Sequence, residues 1–278
     1  MLPDLLLEPV VRAALVEDLG PMGDATVRAV IPQGLTYDAR LNARRPGVAS
    51  GMRVAEMAFR LVDPALVVTT LVEDGAPFSP GDTLMRIEGK AASILMGERV
   101  ALNFAGRLTG VATLTAAFVA ETRGTKARIT CTRKTTPGLR VLEKEAVRHG
   151  GGANHRYGLS DAILIKDNHI AAAGGVRPVL EAARAARSHM MRVEIEVDRL
   201  DQLAEVLEIG VADVVLLDNM TTPQLAEAVA MNAGRLVLEA SGNMSLPRIA
   251  EVAATGVDYI SVGALTHSAP VVDLGLDF

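Results

Sequence analysis

From about residue 125 onward, short runs of β-branched and other apolar residues alternate with stretches that have helical spacing. The runs are ARITC, AILIK, RVEIEV, DVVLLD, RLVLE and DYISV. Strands that alternate with helices predict a parallel sheet, because parallel neighbours need a crossover connection. Six runs are fewer than the eight strands of a closed barrel. We therefore predict an α/β fold whose larger part is an incomplete β/α barrel.

The pattern before these runs is mixed. EPVVRAALVEDLG is amphipathic and stops at a glycine, TYDARLNARRPGVASG alternates as a strand does, and VEDGAPFSPGDTLMRIEG predicts two strands joined by a turn. Two helical stretches, AASILMGERVALNFAGRL and GVATLTAAFVAETRG, follow as a joint. We predict an N-terminal α+β domain over residues 1–108 and the barrel domain over residues 109–278, with the final tail packed back on the first domain.

Polar residues follow almost every predicted strand. They are Arg133 and Lys134; Lys166; Glu196 and Asp198; Asp218 and Asn219; Glu239 and Ser241; and Gly263 with His267 further on. Ligand sites of β/α barrels are built at the carboxyl ends of the strands, where the loops converge. We expect the functional site at this edge.

The segment VEIEVD has an acidic face. Strict alternation places Val193, Ile195 and Val197 on one side of the strand and the three carboxylates on the other. Buried carboxylates are costly unless they meet cations, a metal or hydrogen-bond donors. The alternative is that these carboxylates face solvent or pair with nearby arginines.

The charge distribution narrows the choice of ligand. The chain has 278 residues and a net charge of −5, yet residues 123–169 hold ten Lys or Arg against four Asp or Glu. Aromatic residues make up 3% of the chain and none are interleaved with these cations, which argues against nucleic acid. A small polyanion fits better. Glu196 and Asp218 could hold a divalent cation or its water shell.

Other features suggest the compartment. The opening residues lack the form of a secretory signal, and apolar stretches such as PALVVTTLV are shorter than the span of about 20 residues that a membrane helix requires. The single cysteine, Cys131, cannot form an intrachain disulfide. We expect a soluble, cytoplasmic protein with no membrane partner.

Several longer motifs resemble one family. TRKTTPGLR, EKEAVRHGGGANHRYGLSDAILIKDNHI, EIEVDRLDQL, LLDN, LEASGN and GVDYISVGALTHS are similar, in order and spacing, to quinolinate phosphoribosyltransferases, the decarboxylating enzymes of NAD synthesis. The resemblance runs from EDLGPMGDAT to VVDLGLDF and so covers nearly the whole chain. It implies that quinolinate and phosphoribosyl pyrophosphate react, with Mg²⁺, to nicotinate mononucleotide, pyrophosphate and CO₂.

The resemblance also implies roles for individual residues. Quinolinate's carboxylates would be held by Arg133, His155, Arg156 and Lys166. Lys134 would face the phosphoribosyl donor, and Glu196 and Asp218 would meet the ribose hydroxyls and the metal. The phosphate end would be lined by Ser241, Gly242, Gly263 and His267. Arg99 resembles an arginine that reaches into a neighbouring subunit's site, so the family implies a homodimer or larger assembly with shared active sites.

One departure from the family concerns Cys131. Many members read DTRKT, whereas here Cys131 precedes Thr132 and removes a carboxylate next to Arg133. Any part of that acid in orienting Arg133 is therefore open. We predict that Cys131 is a buried or half-buried thiol without catalytic function, because no paired base is evident.

Plainer interpretations apply to the remaining polar residues. Lys144, Arg148 and His149 could form the solvated face of a helix, His169 is expected to be a hydrogen-bonded structural histidine, and His189 a surface residue. The three glycines at 150–152 do not have P-loop or dinucleotide spacing and predict a helix cap or a close backbone approach. No HxxxH or cysteine pair closes a zinc site.

Two rival functions stay open at this point. Lys166 at a strand end could be the Schiff-base lysine of a barrel lyase, although Asp167 and Asn168 beside it argue against an apolar pocket. A non-catalytic module that binds polyanions is the second rival. It leaves Glu196 and Asp218 without a purpose.

Overall fold

The computed structural model describes residues 2–278; Met1, the first residue of the predicted N-terminal domain, lies outside the described residues. The helices are α1 (Asp4–Leu19), α2 (Ala25–Val30), α3 (Met52–Val62), α4 (Ala91–Ala120), α5 (Arg140–His149), α6 (Asp167–Ala173), α7 (Val176–Ala186), α8 (Leu200–Ile209), α9 (Thr222–Asn232), α10 (Leu246–Ala254) and α11 (Ala264–His267). The strands are β1 (Thr36–Ala43), β2 (Gly47–Val48), β3 (Val67–Thr70), β4 (Pro77–Phe78), β5 (Thr83–Lys90), β6 (Arg128–Thr130), β7 (Ile163–Ile165), β8 (Val193–Val197), β9 (Val214–Asp218), β10 (Val237–Ser241), β11 (Tyr259–Ser261) and β12 (Leu274–Asp277).

The described chain forms two compact units, and each is assembled from segments that are not consecutive. The first unit contains residues 2–116, 135–151 and 265–278, and the second contains residues 117–134 and 152–264. The boundary between residues 108 and 109 stays a prediction about domain organisation. Each unit has its own sheet.

The first unit is built on an antiparallel sheet with strand order β12-β1-β5-β3. The predicted amphipathic helix is present as α1, which buries Leu7, Val11 and Leu15 at helical spacing and ends at Gly20 with φ +55°. The two predicted strands are present as β4 and β5, but they do not pair with each other. Strand β4 pairs with β2, whereas β5 pairs with β1 and β3. The prediction of an α+β unit is confirmed.

The two predicted helical stretches before residue 120 are a single helix, α4, of 30 residues. The division was inferred from glycine, and Gly110 does not break the helix. A Cβ at Gly110 would overlap the carbonyl oxygen of Pro270. The residue is therefore small because another segment packs against the helix, and the helical hydrogen bonds continue through it.

Helix α4 also corrects the expectation about apolar length. Among the described residues 2–278 it is the one helix long and apolar enough, by length and composition, to cross a membrane. However, 61% of its apolar window is buried inside the protein. That burial is characteristic of a core helix, because a membrane-spanning helix presents its apolar side chains to lipid.

Helix α5 differs from its prediction as a solvated face. Lys144 is fully buried, His149 is mostly buried with its Nδ1 2.9 Å from Oγ of Ser50, and Arg148 alone of the three is exposed. The charge pattern of α5 was misleading because this helix buries charged side chains that have partners inside the unit. Glu143 is one example, since its Oε1 lies 2.7 Å from Nη2 of Arg107. Gly150 makes the predicted close approach, against the carbonyl of Ala112.

The second unit contains the predicted parallel sheet, with strand order β6-β11-β10-β9-β8-β7. All six predicted strands are present, and helices connect β7 to β8, β8 to β9, β9 to β10 and β10 to β11. A bridge from Thr130 to Ala153 continues the sheet beyond β6. The prediction of an incomplete β/α barrel is confirmed.

Two aspartates hold the amino ends of the strands in register. Asp213 accepts the N–H of Val193 at 2.8 Å, and Asp258 accepts the N–H of Leu238 at 2.9 Å. Each aspartate also donates its own N–H to the carbonyl of the same residue. Because these bonds fix one end of neighbouring strands, they also determine how the opposite, carboxyl ends line up.

We expect Gly110→Ala to destabilise the first unit by about 1 to 3 kcal/mol, because the new methyl group forces the Pro270 segment to move. Helix propensity alone would predict a gain of about 1 kcal/mol. Thermal and denaturant unfolding would measure the difference. Asn103→Ala, at an exposed position of the same helix, is the control. A more stable Gly110→Ala protein would contradict the packing argument.

Candidate active site

A predicted site residue lies at or shortly after the carboxyl end of each strand of the parallel sheet. Lys166 follows β7, Glu196 lies in β8, Asp218 ends β9, Ser241 ends β10 with Gly242 next to it, Gly263 lies beyond β11, and Arg133 and Lys134 lie beyond β6. Since neighbouring strands are parallel, these positions share one edge of the sheet. These predicted site residues therefore lie together at the carboxyl ends of the strands.

Two of the other predicted residues, Arg99 and His267, belong to the first unit. Arg99 is exposed on α4. His267 is exposed at the end of α11, and its Nδ1 lies 2.6 Å from Oγ of Ser268. Both are accessible to a ligand or to another chain.

The alternation of β8 is as predicted. Val193, Ile195 and Val197 are at most 1% exposed on one face. On the other face exposure increases along the strand, because Glu194 is buried, Glu196 is half-buried and Asp198 is exposed. The alternative of solvated carboxylates is wrong for Glu194, which lies too deep in the sheet for water to compensate its charge.

His155 supplies the partner that Glu194 needs. Its Nε2 lies 2.9 Å from Oε2 of Glu194 and 3.8 Å from Oε1 of Glu239. Its Nδ1 accepts the backbone N–H of Arg156 at 2.8 Å. The ring therefore carries its proton on Nε2 when neutral, and the imidazole joins two buried carboxylates to the loop that bears Arg156.

The same three side chains are the described group that could hold a metal ion, since their ligand atoms all lie within 4.8 Å of one another. The sequence pattern did not predict this cluster. Glu194 was visible in the alternation of VEIEVD, but nothing in the sequence placed Glu239 or His155 beside it. Nε2 of His155 gives Oε2 of Glu194 a partner, whereas Oε1 of Glu194 is buried without a hydrogen bond from any of residues 2–278.

Two guanidinium groups lie close together in this unit. Burial and the charge of Arg133 both lower the pKa of Arg156, whereas Glu194 and Asp161 act in the opposite direction. Nη1 of Arg156 donates to the carbonyl of Ala162 at 3.0 Å, and its buried Nε donates to no acceptor among residues 2–278. A bound dianion would relieve the repulsion between the two cations.

Asp161 orders the loop that follows Arg156, a role that the sequence analysis missed. Its Oδ2 accepts the N–H of Tyr157 at 2.6 Å and its Oδ1 accepts the N–H of Gly158 at 2.9 Å. Burial would raise the pKa of Asp161, but these two amides, together with Arg156, outweigh burial and lower it. The available signal was an aspartate shortly after a Tyr-Gly turn.

The polar residues given plainer interpretations mostly agree with them. Cys131 is fully buried, as predicted, and its Sγ lies 3.2 Å from Oδ1 of Asn154. His169 accepts the N–H of Lys166 at 2.9 Å, as expected of a structural histidine, and His189 is exposed. The absence of a catalytic function for Cys131 stays a prediction.

Lys166 forms an ion pair with Glu196, with 3.1 Å between Nζ and Oε2. Its side chain is 50% exposed. A lysine that forms Schiff bases is usually desolvated or placed beside another cation, so that its amine loses the proton readily. This environment is the opposite and disfavours the lyase alternative.

The second unit is an incomplete β/α barrel that carries basic and acidic side chains at the carboxyl ends of its strands. The family model for the N-terminal domain of quinolinate phosphoribosyl transferase matches residues 24–109, and that for the C-terminal domain matches residues 111–277. The chain belongs to the quinolinate phosphoribosyltransferase family.

Named relatives are similar over nearly the full length. The chain is 45% identical to the nicotinate-nucleotide pyrophosphorylase [carboxylating] of Mycobacterium leprae, over 96% of this chain and 95% of the relative. It is 41% identical to quinolinate phosphoribosyltransferase [decarboxylating] 1b of Nicotiana tabacum, over 99% and 83%. The crystal structure of NadC from Streptococcus pyogenes matches with a TM-score of 0.96 at 38% identity, covering 100% of this chain and 98% of that one.

We expect Asp161→Asn to lower stability at neutral pH. The asparagine side chain has one acceptor oxygen, whereas the carboxylate uses two, for the N–H groups of Tyr157 and Gly158. The folded-state pKa of Asp161 lies below its ordinary value of 3.8, so its contribution is present above pH 3.8 and is lost as the pH falls below that value. Thermal unfolding from about pH 7 to about pH 3 should therefore show a gap between the wild type and the variant that narrows as the pH falls below 3.8. Asp198→Asn, at an exposed carboxylate, is the control. A gap independent of pH would contradict the assignment.

Proposed function

We infer that this chain transfers the phosphoribosyl group of phosphoribosyl pyrophosphate to quinolinate, giving nicotinate mononucleotide, pyrophosphate and CO₂ in NAD synthesis. The observation that carries this conclusion is the match of both family domains, together with relatives of the same named activity at 41–45% identity. The site agrees chemically. A dicarboxylate and a phosphate ester both require a cluster of cations.

We propose that Arg133, Arg156 and Lys166 bind the two carboxylates of quinolinate. Guanidinium groups bind carboxylates through paired hydrogen bonds, and the ammonium group adds a mobile charge. His155 belongs to this end of the site through its bonds to Arg156 and Glu194. Because both ring nitrogens have protein partners, a direct contact with quinolinate would replace one of these bonds.

The phosphoribosyl donor is assigned to the other strand ends. Lys134 would face the donor, and Glu196 and Asp218 would bind the ribose hydroxyls and stabilise positive charge on the sugar as the bond to pyrophosphate breaks. The phosphate end would be lined by Ser241, Gly242, Gly263 and His267. Gly242, with φ +94°, supplies a backbone turn without a side chain.

Mg²⁺ fits the same residues. Glu196 and Asp218 offer hard carboxylate oxygens, and such sites usually retain several waters and bind through one or two carboxylates plus substrate phosphates. When bound, the ion would neutralise the charge of the departing pyrophosphate. Each carboxylate already has one oxygen held by a side chain, Lys166 for Glu196 and Asn219 for Asp218.

The reaction needs orientation and charge from the protein, with no covalent nucleophile. The nitrogen of quinolinate attacks the anomeric carbon as pyrophosphate leaves, and the ring becomes a pyridinium. The pyridinium ring accepts the electron pair of the C–C bond that breaks as CO₂ departs. A proton then takes the place of the lost carboxylate on the ring carbon. Arg133 and Arg156 would hold the ring in line with the sugar, which removes much of the entropic barrier.

We further propose a cytoplasmic homodimer, or a larger assembly, in which Arg99 completes the site of a neighbouring subunit. The exposure of Arg99 on α4 supports this role. The single buried cysteine is compatible with a reducing compartment. Sedimentation of the purified protein, with Arg99→Ala assayed alongside, would test the assembly and the shared site together.

The direct test is an assay of the purified protein with quinolinate, phosphoribosyl pyrophosphate and Mg²⁺, following nicotinate mononucleotide and CO₂. Nicotinate replaces quinolinate in a parallel reaction. We expect product from quinolinate alone. Product from nicotinate alone would overturn the substrate assignment, and binding of both substrates without turnover would favour the polyanion-binding alternative.

We expect Arg133→Ala to raise the KM for quinolinate by about two orders of magnitude, because the loss of a charged hydrogen-bonded partner costs about 2 to 5 kcal/mol. The melting temperature should change little. Arg148→Ala removes an exposed arginine from the same basic segment and is the matched control. An unchanged KM in Arg133→Ala would remove Arg133 from the site.

A further inference from the structure

Asn219 lies beside Asp218 and is tied to it. Its Nδ2 donates to Oδ2 of Asp218 at 2.6 Å, a short hydrogen bond to a charged acceptor. No side chain among residues 2–278 donates to the other oxygen, Oδ1. One oxygen of the Asp218 carboxylate is therefore fixed by the protein, and the second is left for a ligand.

Asn219 also connects two strand ends. Its backbone N–H donates to the carbonyl of Ser241 at 3.0 Å, and its Oδ1 accepts a hydrogen bond from Nδ2 of Asn243 at 3.3 Å. Asp218 is paired with Ser241 in the register of β9 and β10. The loop after β9 and the loop after β10 thus form one hydrogen-bonded structure centred on this side chain.

The backbone conformations match this arrangement. Asn219 has φ +54°, a left-handed conformation that asparagine tolerates better than most residues. Gly242 has φ +94°, and a Cβ there would overlap Oδ1 of Asn219 and lie 2.7 Å from its Cγ. The side chain of Asn219 therefore occupies the space that any side chain at residue 242 would need.

Arg248 holds the two loops together from another direction. Its Nη1 donates to the carbonyl of Gly242 at 3.2 Å and its Nη2 to the carbonyl of Met220 at 2.7 Å. These bonds hold the backbone of both loops but do not reach the Asp218 carboxylate. Loss of the Asn219 side chain should therefore release Asp218 while the loops keep their places.

We propose that Asn219 is a positioning residue for the phosphoribosyl donor. Its side chain orients the Asp218 carboxylate toward the sugar and its metal, while its backbone N–H and Arg248 hold the main chain of Ser241 and Gly242. This inference rests on the proposed function, because it assigns the donor to Asp218 and Gly242. It adds a residue that contacts neither substrate nor ion itself.

Two variants separate the side chain from the backbone. Asn219→Gly accepts the positive φ without strain and deletes both side-chain hydrogen bonds. Asn219→Asp keeps the size, the acceptor for Asn243 and the tolerance of positive φ, but replaces the N–H donor with a second carboxylate oxygen. Ala233→Gly is the matched control, since Ala233 is an exposed non-glycine residue with φ +48° at the end of α9.

Binding of phosphoribosyl pyrophosphate with Mg²⁺ should be measured by calorimetry without quinolinate, beside steady-state KM values for both substrates and melting temperatures. We expect both Asn219 variants to bind the donor about ten-fold or more weakly, as for other residues that orient a ligating carboxylate. The KM for quinolinate and the melting temperature should change little. Ala233→Gly should bind the donor as the wild type does.

The outcomes distinguish this inference from the function on which it rests. If the wild type neither binds the donor nor forms product from quinolinate, the proposed function is wrong. If the wild type binds and both Asn219 variants bind equally well, the positioning role is wrong. Equal losses for both substrates together with a lower melting temperature would show a general structural role for Asn219 and would also overturn the inference.

Discussion

Glu194 and Glu239 are buried in a parallel sheet, where an uncompensated carboxylate costs several kcal/mol. His155 lies between them, and its other ring nitrogen accepts the N–H of Arg156. His155 therefore connects two buried carboxylates to the loop that carries Arg156. The charge of Glu194 acts on Arg156 in the opposite direction to that of Arg133, so the second unit keeps these two cations close together before any anion binds. A cluster of arginines alone would repel itself, and the carboxylates beneath make the arrangement possible.

The edge of the sheet combines two kinds of element. The strands bring one polar residue each to the carboxyl edge, because parallel register aligns their ends, and Asp213 and Asp258 fix that register from the opposite end. The loops then determine how each side chain is presented. Asp161 orders the loop beside Arg156, and Asn219 fixes one oxygen of Asp218. In both loops a residue that need not contact the substrate determines the orientation of one that is assigned to it.

Much of this could be predicted from local pattern. Period-two alternation placed Val193, Ile195 and Val197 in the core, and six β-branched runs became six strands. The shared edge of the polar residues after those strands was also predicted, because it follows from the parallel order alone. The predictions failed where a glycine can either break a helix or allow close packing, and where a charged side chain can be either exposed or buried. Gly110 was interpreted as a helix break, yet it serves close packing against Pro270. Lys144 and His149 were interpreted as solvated, yet they are buried or mostly buried in the first unit.

The sequence by itself determined the class of fold, the presence of a basic segment and, through motifs spanning nearly the whole chain, the family. These depend on residues close together in the chain, where spacing fixes which side chains share a face or a strand end. Only the tertiary structure decided that His155 joins Glu194 to Glu239, that α4 is continuous, and that Asn219 fills the space beside Gly242. Each of these depends on what a distant segment brings into contact, and the burial or pairing of a side chain cannot be deduced from its neighbours in sequence.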